Sequence, residues 1–182
     1  GDIDTEIGRN VPAIRVANDA AGTLSVVISG NTIDYAGSAY AIPLSTGENG
    51  AGRLNAVVRS NVINYKGESA DLILDPFGAI FATSQANSST GNGATLCAEL
   101  GGTGVISNTV QNPGGTAIPR DIRLSQAGSN QVELPLYSGS PSDPAQVVPY
   151  LAGRNTLLNS STVTRETGLF AGLTTGCPQP SA

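Results

Sequence analysis

The chain has 182 residues with 9 Lys and Arg against 14 Asp and Glu, and its formal net charge is −5 at pH 7. Nucleic acids and anionic membranes attract proteins through basic surfaces, so this charge balance argues against both partners. No apolar run approaches the roughly 20 residues that span a bilayer. The lack of histidine removes the Ser-His-Asp and Cys-His nucleophile systems and most zinc sites.

Short β-branched segments recur in groups of three from the N-terminus to about residue 134. The step from Leu24 to Leu54 and the step from Asn31 to Asn61 are both 30 residues. Steps of this size are typical of solenoids, in which each repeat packs only on its neighbours. The predicted strand series contain Ile14, Ile42, Leu72 and Ile122 (first), Val26, Ala56 and Ala98 (second), and Ile33, Ile63 and Val110 (third).

An asparagine stands at the corner between the second and third strands of each group. Asparagine tolerates left-handed backbone angles and bonds to its own main chain. Asn31, Asn61 and Asn108 occupy this position, so stacked corners would let their amides bond to one another between repeats. We therefore predict an internal asparagine ladder and favour it over a role for these amides in binding a ligand.

Two tyrosines follow the same corner at a constant offset. Tyr35 and Tyr65 stand 30 residues apart, which predicts an outer stack that shields a sheet face. The alternative is a platform for carbohydrate, because sugar rings pack on aromatic faces. Residues 83–94 are rich in Ser, Asn and Gly and interrupt the repeat. Solenoids place such insertions as loops on one face, which is often the binding face.

The pattern changes after residue 134, where residues 135–182 are predicted to form a C-terminal capping segment. Within it we expect a short helix that covers the end of the stack, because an open end exposes unpaired strand edges. Pro149 limits the length of this helix or kinks it. The expected parts of the helix are Ser142 or Asp143 as N-cap, Pro144 in the first turn, Val147, Val148 and Leu151 facing inward, and Gly153 at the end.

The chain has two cysteines, Cys97 and Cys177. An even number of cysteines in a chain with the composition of an extracellular protein favours one disulfide. This bond would tie the C-terminal tail to a core strand. Two buried free thiols are the alternative.

Carboxylates are the remaining route to catalysis. Asp71 and Asp121 begin equivalent strands of the first series, and Arg123 lies beside Asp121. A glycosidase needs two carboxyl groups roughly 5–9.5 Å apart, which neighbouring repeats could supply. Acids at strand starts also cap turns, and we favour that structural role. The sequence contains no calcium loop and no phosphate or dinucleotide motif, so we predict no metal and no cofactor.

The second half of the chain resembles the C-terminal ends of large secreted bacterial β-helix surface proteins of the adhesin or repeat type. The resemblance implies a strand cysteine, a short helix and a cysteine near the end, and so supports pairing of Cys97 with Cys177. It implies no catalytic residues. The segments that carry the resemblance are residues 96–100 (LCAEL), 121–124 (DIRL), 134–139 (LPLYSG), 147–155 (VVPYLAGRN) and 176–178 (GCP).

Together these patterns predict an all-β chain, a right-handed parallel β-helix with a short C-terminal helix that forms a single domain over residues 1–182. The expected function is a secreted or cell-surface structural or adhesive element. Its expected partners are surface glycans and further copies of itself, stacked head to tail into a filament through an uncapped N-terminal end. The equal alternative to the filament is a fragment whose missing coils provide the cap. The alternative is a polysaccharide lyase or tailspike-like glycosidase that uses Asp71, Asp121 and Arg123.

Overall fold

A computed structural model describes residues 12–35, 40–65, 78–85, 93–111 and 120–180. These residues are mostly β, as predicted, with one α-helix, α1 (Pro144–Ala152), and a 3-10 turn at Gly104–Ile106. The strands are β1 (Val16–Asn18), β2 (Thr23–Ser29), β3 (Thr32–Tyr35), β4 (Ile42–Thr46), β5 (Arg53–Arg59), β6 (Val62–Tyr65), β7 (Ile80–Ser84), β8 (Thr95–Leu100), β9 (Asn108–Gln111), β10 (Ile122–Gln126), β11 (Gln131–Pro135), β12 (Asn155–Thr156), β13 (Thr162–Arg165) and β14 (Leu169–Leu173).

The strands form three sheets in which all the pairings are parallel. Sheet A has the order β1-β4-β7-β10-β13, sheet B the order β2-β5-β8-β11-β14, and sheet C the order β3-β6-β9-β12. Successive strands thus enter sheets A, B and C in turn, and each strand pairs with the strands three places before and after it. We use the word layer for each set of three consecutive strands.

The register confirms the predicted second and third series. In sheet B, Val26 pairs with Ala56 and Ala56 with Ala98. In sheet C, Ile33 pairs with Ile63, which in turn pairs with Val110.

The first series needs a correction at its third member. Ile80 pairs with both Ile42 and Ile122, so the place assigned to Leu72 belongs to Ile80 and that assignment is wrong. Both runs are short and apolar, and periodicity alone cannot choose between them. Leu72 itself lies outside the described residues. The predicted insertion also begins too early, because Thr83 and Ser84 belong to β7.

The interior between the sheets is built from medium-sized aliphatic side chains. In sheet A the residues of β4 alternate between buried and half-buried, with Ile42 and Leu44 fully buried. Ile122 and Leu124 repeat this alternation in β10. Each such side chain contributes about 1.5–3 kcal/mol when it leaves water.

Helix α1 has the predicted boundaries. The carboxylate of Asp143 accepts a hydrogen bond from the N–H of Ala145 at 3.0 Å, and Pro144 is the first helical residue. Val147 and Leu151 are fully buried in the main core, and Gly153 ends the helix.

The chain does not stop contributing strands at residue 134. After α1, strands β12, β13 and β14 add one more member to each of the three sheets. The helix, which packs against β12 and β13, is therefore inserted within the fourth layer, between β11 and β12, and β13 and β14 belong to a fifth. The 30-residue step did not reveal these strands because α1 and the segments beside it lengthen the step, so that Val132 pairs with Phe170, 38 positions later.

Four asparagines form a continuous line of hydrogen bonds at the corner between sheets B and C. The Nδ2 of Asn31 donates to Oδ1 of Asn61 at 2.9 Å, and Asn61 donates likewise to Asn108 at 3.0 Å. Asn108 in turn donates to Oδ1 of Asn155 at 2.9 Å. The three predicted asparagines are thus joined by a fourth, and we call this set the asparagine ladder.

The ladder also satisfies main-chain carbonyls that leave sheet B. At the second, third and fourth corners the amide nitrogen donates to the carbonyl oxygen that ends or nearly ends the sheet B strand one layer back. These bonds join Asn61 to Ile28 (2.9 Å), Asn108 to Val58 (2.8 Å) and Asn155 to Leu100 (3.1 Å). Buried carbonyls without a partner are costly, so the ladder supports the corner of every layer.

The loop before α1 and the helix itself cover the C-terminal end of the stack. The Nδ2 of Asn155 donates to the carbonyl of Leu151 in the last turn of α1, at 2.9 Å. The N–H of Phe170 in β14 donates to the carbonyl of Pro141 at 2.9 Å. Groups that would otherwise face a further layer are therefore bonded within the chain.

We expect Asn108→Ala to lower the free energy of unfolding by about 3 kcal/mol, because it leaves buried main-chain and amide groups unpaired. The matched control is Asn64→Ala, which removes an exposed amide that bonds to Asp34 and should cost under about 1 kcal/mol. Urea unfolding followed by circular dichroism measures both values. Equal losses in the two variants would contradict a supporting role for the ladder.

Candidate functional site

Asp121, one of the two carboxylates considered for the enzymatic alternative, is fully buried and hydrogen-bonded to the main chain. Its Oδ2 accepts from the N–H of Leu158 at 2.6 Å and from the N–H of Asn159 at 2.7 Å. Its Oδ1 accepts from Nδ2 of Asn159 at 3.1 Å. The carboxylate thereby holds the turn that leads from β12 to β13.

The predicted pairing of Asp71 with Asp121 as equivalent residues is wrong. Because Ile122 pairs with Ile80, the residue equivalent to Asp121 is Ala79. The N–H groups of Ala79 and Ile80 both donate to the main-chain carbonyl of Asp121. Asp71 lies outside the described residues.

Arg123 belongs to an aromatic cluster on the outer side of sheet A. Its guanidinium lies 5.2 Å from the centroid of the Phe81 ring, and its Nη1 donates to the hydroxyl of Tyr40 at 3.4 Å. The rings of Tyr40 and Phe81 are stacked with centroids 4.7 Å apart. Tyr40 is 7% exposed, so the cluster packs against the sheet and offers little free aromatic surface.

The predicted carbohydrate platform remains a prediction. Tyr35 and Tyr65 are register partners at the ends of β3 and β6, but their side chains lie outside the described part of the chain. Most of the predicted loop, residues 86–92, also lies outside it.

The predicted disulfide is present. Cys97 in β8 is bonded to Cys177, which lies 80 positions later in the sequence. The two Cα atoms are 5.7 Å apart. The sulfurs pack with Val57 and Leu173 in a small apolar cluster separate from the main core. The N–H of Cys177 also donates to Oε2 of Glu99 at 3.0 Å. These two bonds fix the C-terminal tail to sheet B.

A cleft that sequence reasoning missed lies beside α1. Its walls are residues 136–139 on one side and Gln146, Pro149 and Tyr150 on the other, and its volume is about 320 Å³. Small-molecule pockets typically start at about 300 Å³ and are mostly apolar, as this one is. None of the lining residues carries a charged side chain. We call this feature the helix cleft.

Hydrogen bonds fix both tyrosines of the cleft. The hydroxyl of Tyr137 donates to the carbonyl of Ser140 at 2.8 Å, and that of Tyr150 donates to the carbonyl of Pro135 at 2.7 Å. The two rings meet edge to face with centroids 5.4 Å apart. The walls are therefore formed before any ligand arrives.

The one amide of the cleft is also engaged. Oε1 of Gln146 accepts from the N–H of Ser140 at 2.8 Å, and its Nε2 donates to Oδ2 of Asp143 at 3.1 Å. A ligand would thus find few free polar partners on the helix side of the cleft.

Leu136 stands at the mouth of the helix cleft in an unusual conformation. Its φ is 62°, in the left-handed region, and its side chain is 65% exposed. A non-glycine residue held there costs on the order of 1–3 kcal/mol, and such residues cluster at functional sites. Nothing in the sequence signalled this position, because glycine or asparagine is the usual choice there.

Burial raises the pKa of Tyr150 to about 12, with Arg154 opposing the shift and Glu99 adding to it. The guanidinium of Arg154 lies 5.3 Å from the centre of that ring. The pKa of Tyr137 is also raised, by burial and then by Asp143. Both hydroxyls are therefore neutral donors at physiological pH.

The described residues hold neither a cluster of metal-ligating side chains nor a membrane-spanning helix. They contain no group of three or more Asp, Glu and Cys side chains placed to hold a metal ion. Within the same ranges, no helix combines the length and hydropathy needed to cross a membrane.

The chain matches no protein-family model, no curated protein and no solved structure. The resemblance to secreted β-helix surface proteins therefore stays a prediction, and the site is interpreted from its geometry alone.

We expect Asp121→Ala to lower the free energy of unfolding by about 3 kcal/mol, because the N–H groups of Leu158 and Asn159 lose their acceptor. Asp34→Ala, which removes an exposed carboxylate in β3, should change it by less than about 1 kcal/mol. Urea titrations of both variants test this. An Asp121→Ala protein as stable as wild type would contradict this structural role and favour a functional one for the carboxylate.

We expect the raised pKa of Tyr150 to lower the free energy of unfolding at high pH. The unfolded tyrosine loses its proton near the ordinary value of 10.0, whereas the folded one holds it to about 12. The stabilisation contributed by this hydroxyl is therefore fully present below pH 10 and is lost as the pH rises from 10 to about 12. Urea midpoints measured across it should fall more steeply for wild type than for Tyr150→Phe, and parallel curves would refute the assignment.

Proposed function

We propose that this chain is a right-handed parallel β-helix that acts as an extracellular structural or adhesive element. The order of strands supports the β-helix, because every third strand returns to the same sheet in parallel pairing. The right-handed sense follows the strong general preference of parallel crossover connections.

The observation that carries the functional proposal is the asparagine ladder. It repeats one corner in four layers, and Asn61 and Asn108 are fully buried within it. Such repetition builds a stiff scaffold with long outer faces, which suits display and adhesion. Asp121, the described member of the predicted carboxylate pair, is engaged in holding a turn.

The disulfide supports an extracellular location. Disulfides form and persist in oxidising compartments and are rare in the cytosol. Both cysteines are buried, with Cys97 fully enclosed and Cys177 4% exposed. A closed covalent loop of this kind suits a protein exposed to proteases and to changing solution conditions.

Head-to-tail polymerisation is not part of this proposal. Among the described residues, β1, β2 and β3 have a strand neighbour on one side only. At the other end, however, Pro141 and the last turn of α1 already occupy groups of β14 and Asn155. A filament that continued the sheets would have to displace these contacts.

Within the described ranges, no observation favours the carbohydrate-active alternative. A glycosidase requires two free carboxyl groups facing one substrate, and both oxygens of Asp121 accept hydrogen bonds from the chain.

The location is tested in the source cells. An antibody against the folded chain should label intact, unpermeabilised cells or the medium, and alkylation in denaturant without reductant should leave both cysteines unmodified. Labelling confined to permeabilised cells, with both thiols alkylated, would overturn the extracellular proposal.

The adhesive role is tested by binding of the folded chain to arrays of surface glycans and extracellular matrix proteins. The matched control is the same chain after unfolding and reduction. Binding by the folded form alone supports adhesion. Release of shortened or unsaturated sugars from the glycans would instead favour the enzymatic alternative.

A further inference from the structure

The N-terminal end of the stack is open in the described part of the chain, unlike the C-terminal end. Among the described residues, β1, β2 and β3 have a strand neighbour on one side only, and we call their free edges the open end. Leu24 in β2 is 39% exposed, whereas its register partner Leu54 and the next residue in line, Leu96, are fully buried. Proteins usually cover such edges, because an unpaired strand edge invites pairing with other chains.

The asparagine ladder is unfinished at the same end. The Oδ1 of Asn61 accepts from the main-chain N–H of Asn31 at 3.1 Å and from its Nδ2 at 2.9 Å. The Oδ1 of Asn108 accepts the same two bonds from Asn61. Among the described residues, none donates to the Oδ1 of Asn31. The open end therefore presents the acceptor that one further ladder asparagine would use.

Residues 1–11 precede the described part of the chain and carry the pattern of this corner. In β2 and β5, three alternate interior positions are followed by the ladder asparagine, three residues after the last of them. These residues are Leu24, Val26, Ile28 and Asn31 in the first layer and Leu54, Ala56, Val58 and Asn61 in the second. The same spacing occurs at Ile3, Thr5, Ile7 and Asn10.

We infer that residues 3–10 cover the open end of their own chain, as a parallel strand on the free edge of β2. In this arrangement Asn10 is a fifth member of the asparagine ladder and donates to the Oδ1 of Asn31. Asp4 and Glu6 take the alternate positions, which lie on the outer side of sheet B in water. The inference is independent of the function proposed above, because it concerns how one end of the stack is closed.

The connection from this strand into the described chain is long enough. Six residues lead from Asn10 to Val16, the first residue of β1. Six extended residues reach about 20 Å, whereas a four-residue strand of sheet C spans about 13 Å. The chain also bends at Ala13 and Ile14 before it enters β1, as a chain that rounds a corner must.

Hydrogen exchange of the full chain, followed by NMR, tests the cover directly. The N–H of Arg53 donates to the carbonyl of Gly22. Because strand amides alternate in direction, the N–H groups of Ser25 and Val27 point away from β5 and toward the open end. The cover pairs these groups, so both should exchange at least about tenfold more slowly than unpaired amides.

Two neighbouring substitutions distinguish a paired strand from an unattached segment. Ile7→Asn places a polar side chain on the interior side of the cover, so the Val27 N–H should exchange at least about tenfold faster. The matched control, Glu6→Asn, introduces the same residue on the outer side and should leave this exchange unchanged. The N–H of Val57, which lies between β2 and β5, reports that the rest of the stack is intact in both variants.

The ladder part of the inference has its own variant. Asn10→Ala removes the donors to Asn31 but keeps the apolar residues of the cover, and it should also speed exchange of the Val27 N–H. Exchange equal to that of wild type would overturn the place of Asn10 in the ladder.

Protein concentration separates the chain's own segment from a second copy. Slow exchange of the Val27 N–H in monomers, at every concentration, supports the inference. Slow exchange that appears only as dimers form in sedimentation velocity would assign the cover to a second copy and overturn it. Equal effects of Ile7→Asn and Glu6→Asn would overturn it too, as would a wild-type Val27 N–H that exchanges like an unpaired amide.

Discussion

The fold depends on pairing the main-chain carbonyls at the corner where the chain leaves sheet B. The strand hydrogen bonds end there, and the asparagine amides supply donors to Ile28, Val58 and Leu100. Each amide also bonds to the next, so the position of one layer fixes that of its neighbour. The narrow aliphatic interior can then be filled by the same few residue types in every layer.

The C-terminal end of the stack is capped by an earlier part of the same chain. The segment from Pro141 to Leu151 precedes the final strands in sequence, yet its carbonyls receive donors from Phe170 and Asn155. The helix and the loop before it cover the end of the stack, and hydrogen bonds from β12 and β14 hold them there. The helix cleft arises from this arrangement, because the chain must turn sharply at Leu136 to pass from β11 toward α1.

Charged and polar residues illustrate how burial changes their role. Asp121 stands at a strand start, where the sequence favours a turn-capping role over catalysis, and its enclosed carboxylate accepts hydrogen bonds from the main chain. Arg123 lies against the Phe81 ring. The side chains of the helix cleft are uncharged instead, and hydrogen bonds to the main chain fix its two tyrosines in place.

The sequence by itself determined the features that repeat or that depend on local chemistry. The 30-residue step gave the register of Val26 with Ala56 and of Ile33 with Ile63, and capping rules gave both ends of α1. The even cysteine count indicated the disulfide.

Only the tertiary structure decided which of two apolar runs enters sheet A, since that choice depends on pairing Ile80 with strands on both sides. The helix cleft and the burial of Asp121 also required it. They join residues far apart in the chain, and no local pattern records what the fold brings next to them.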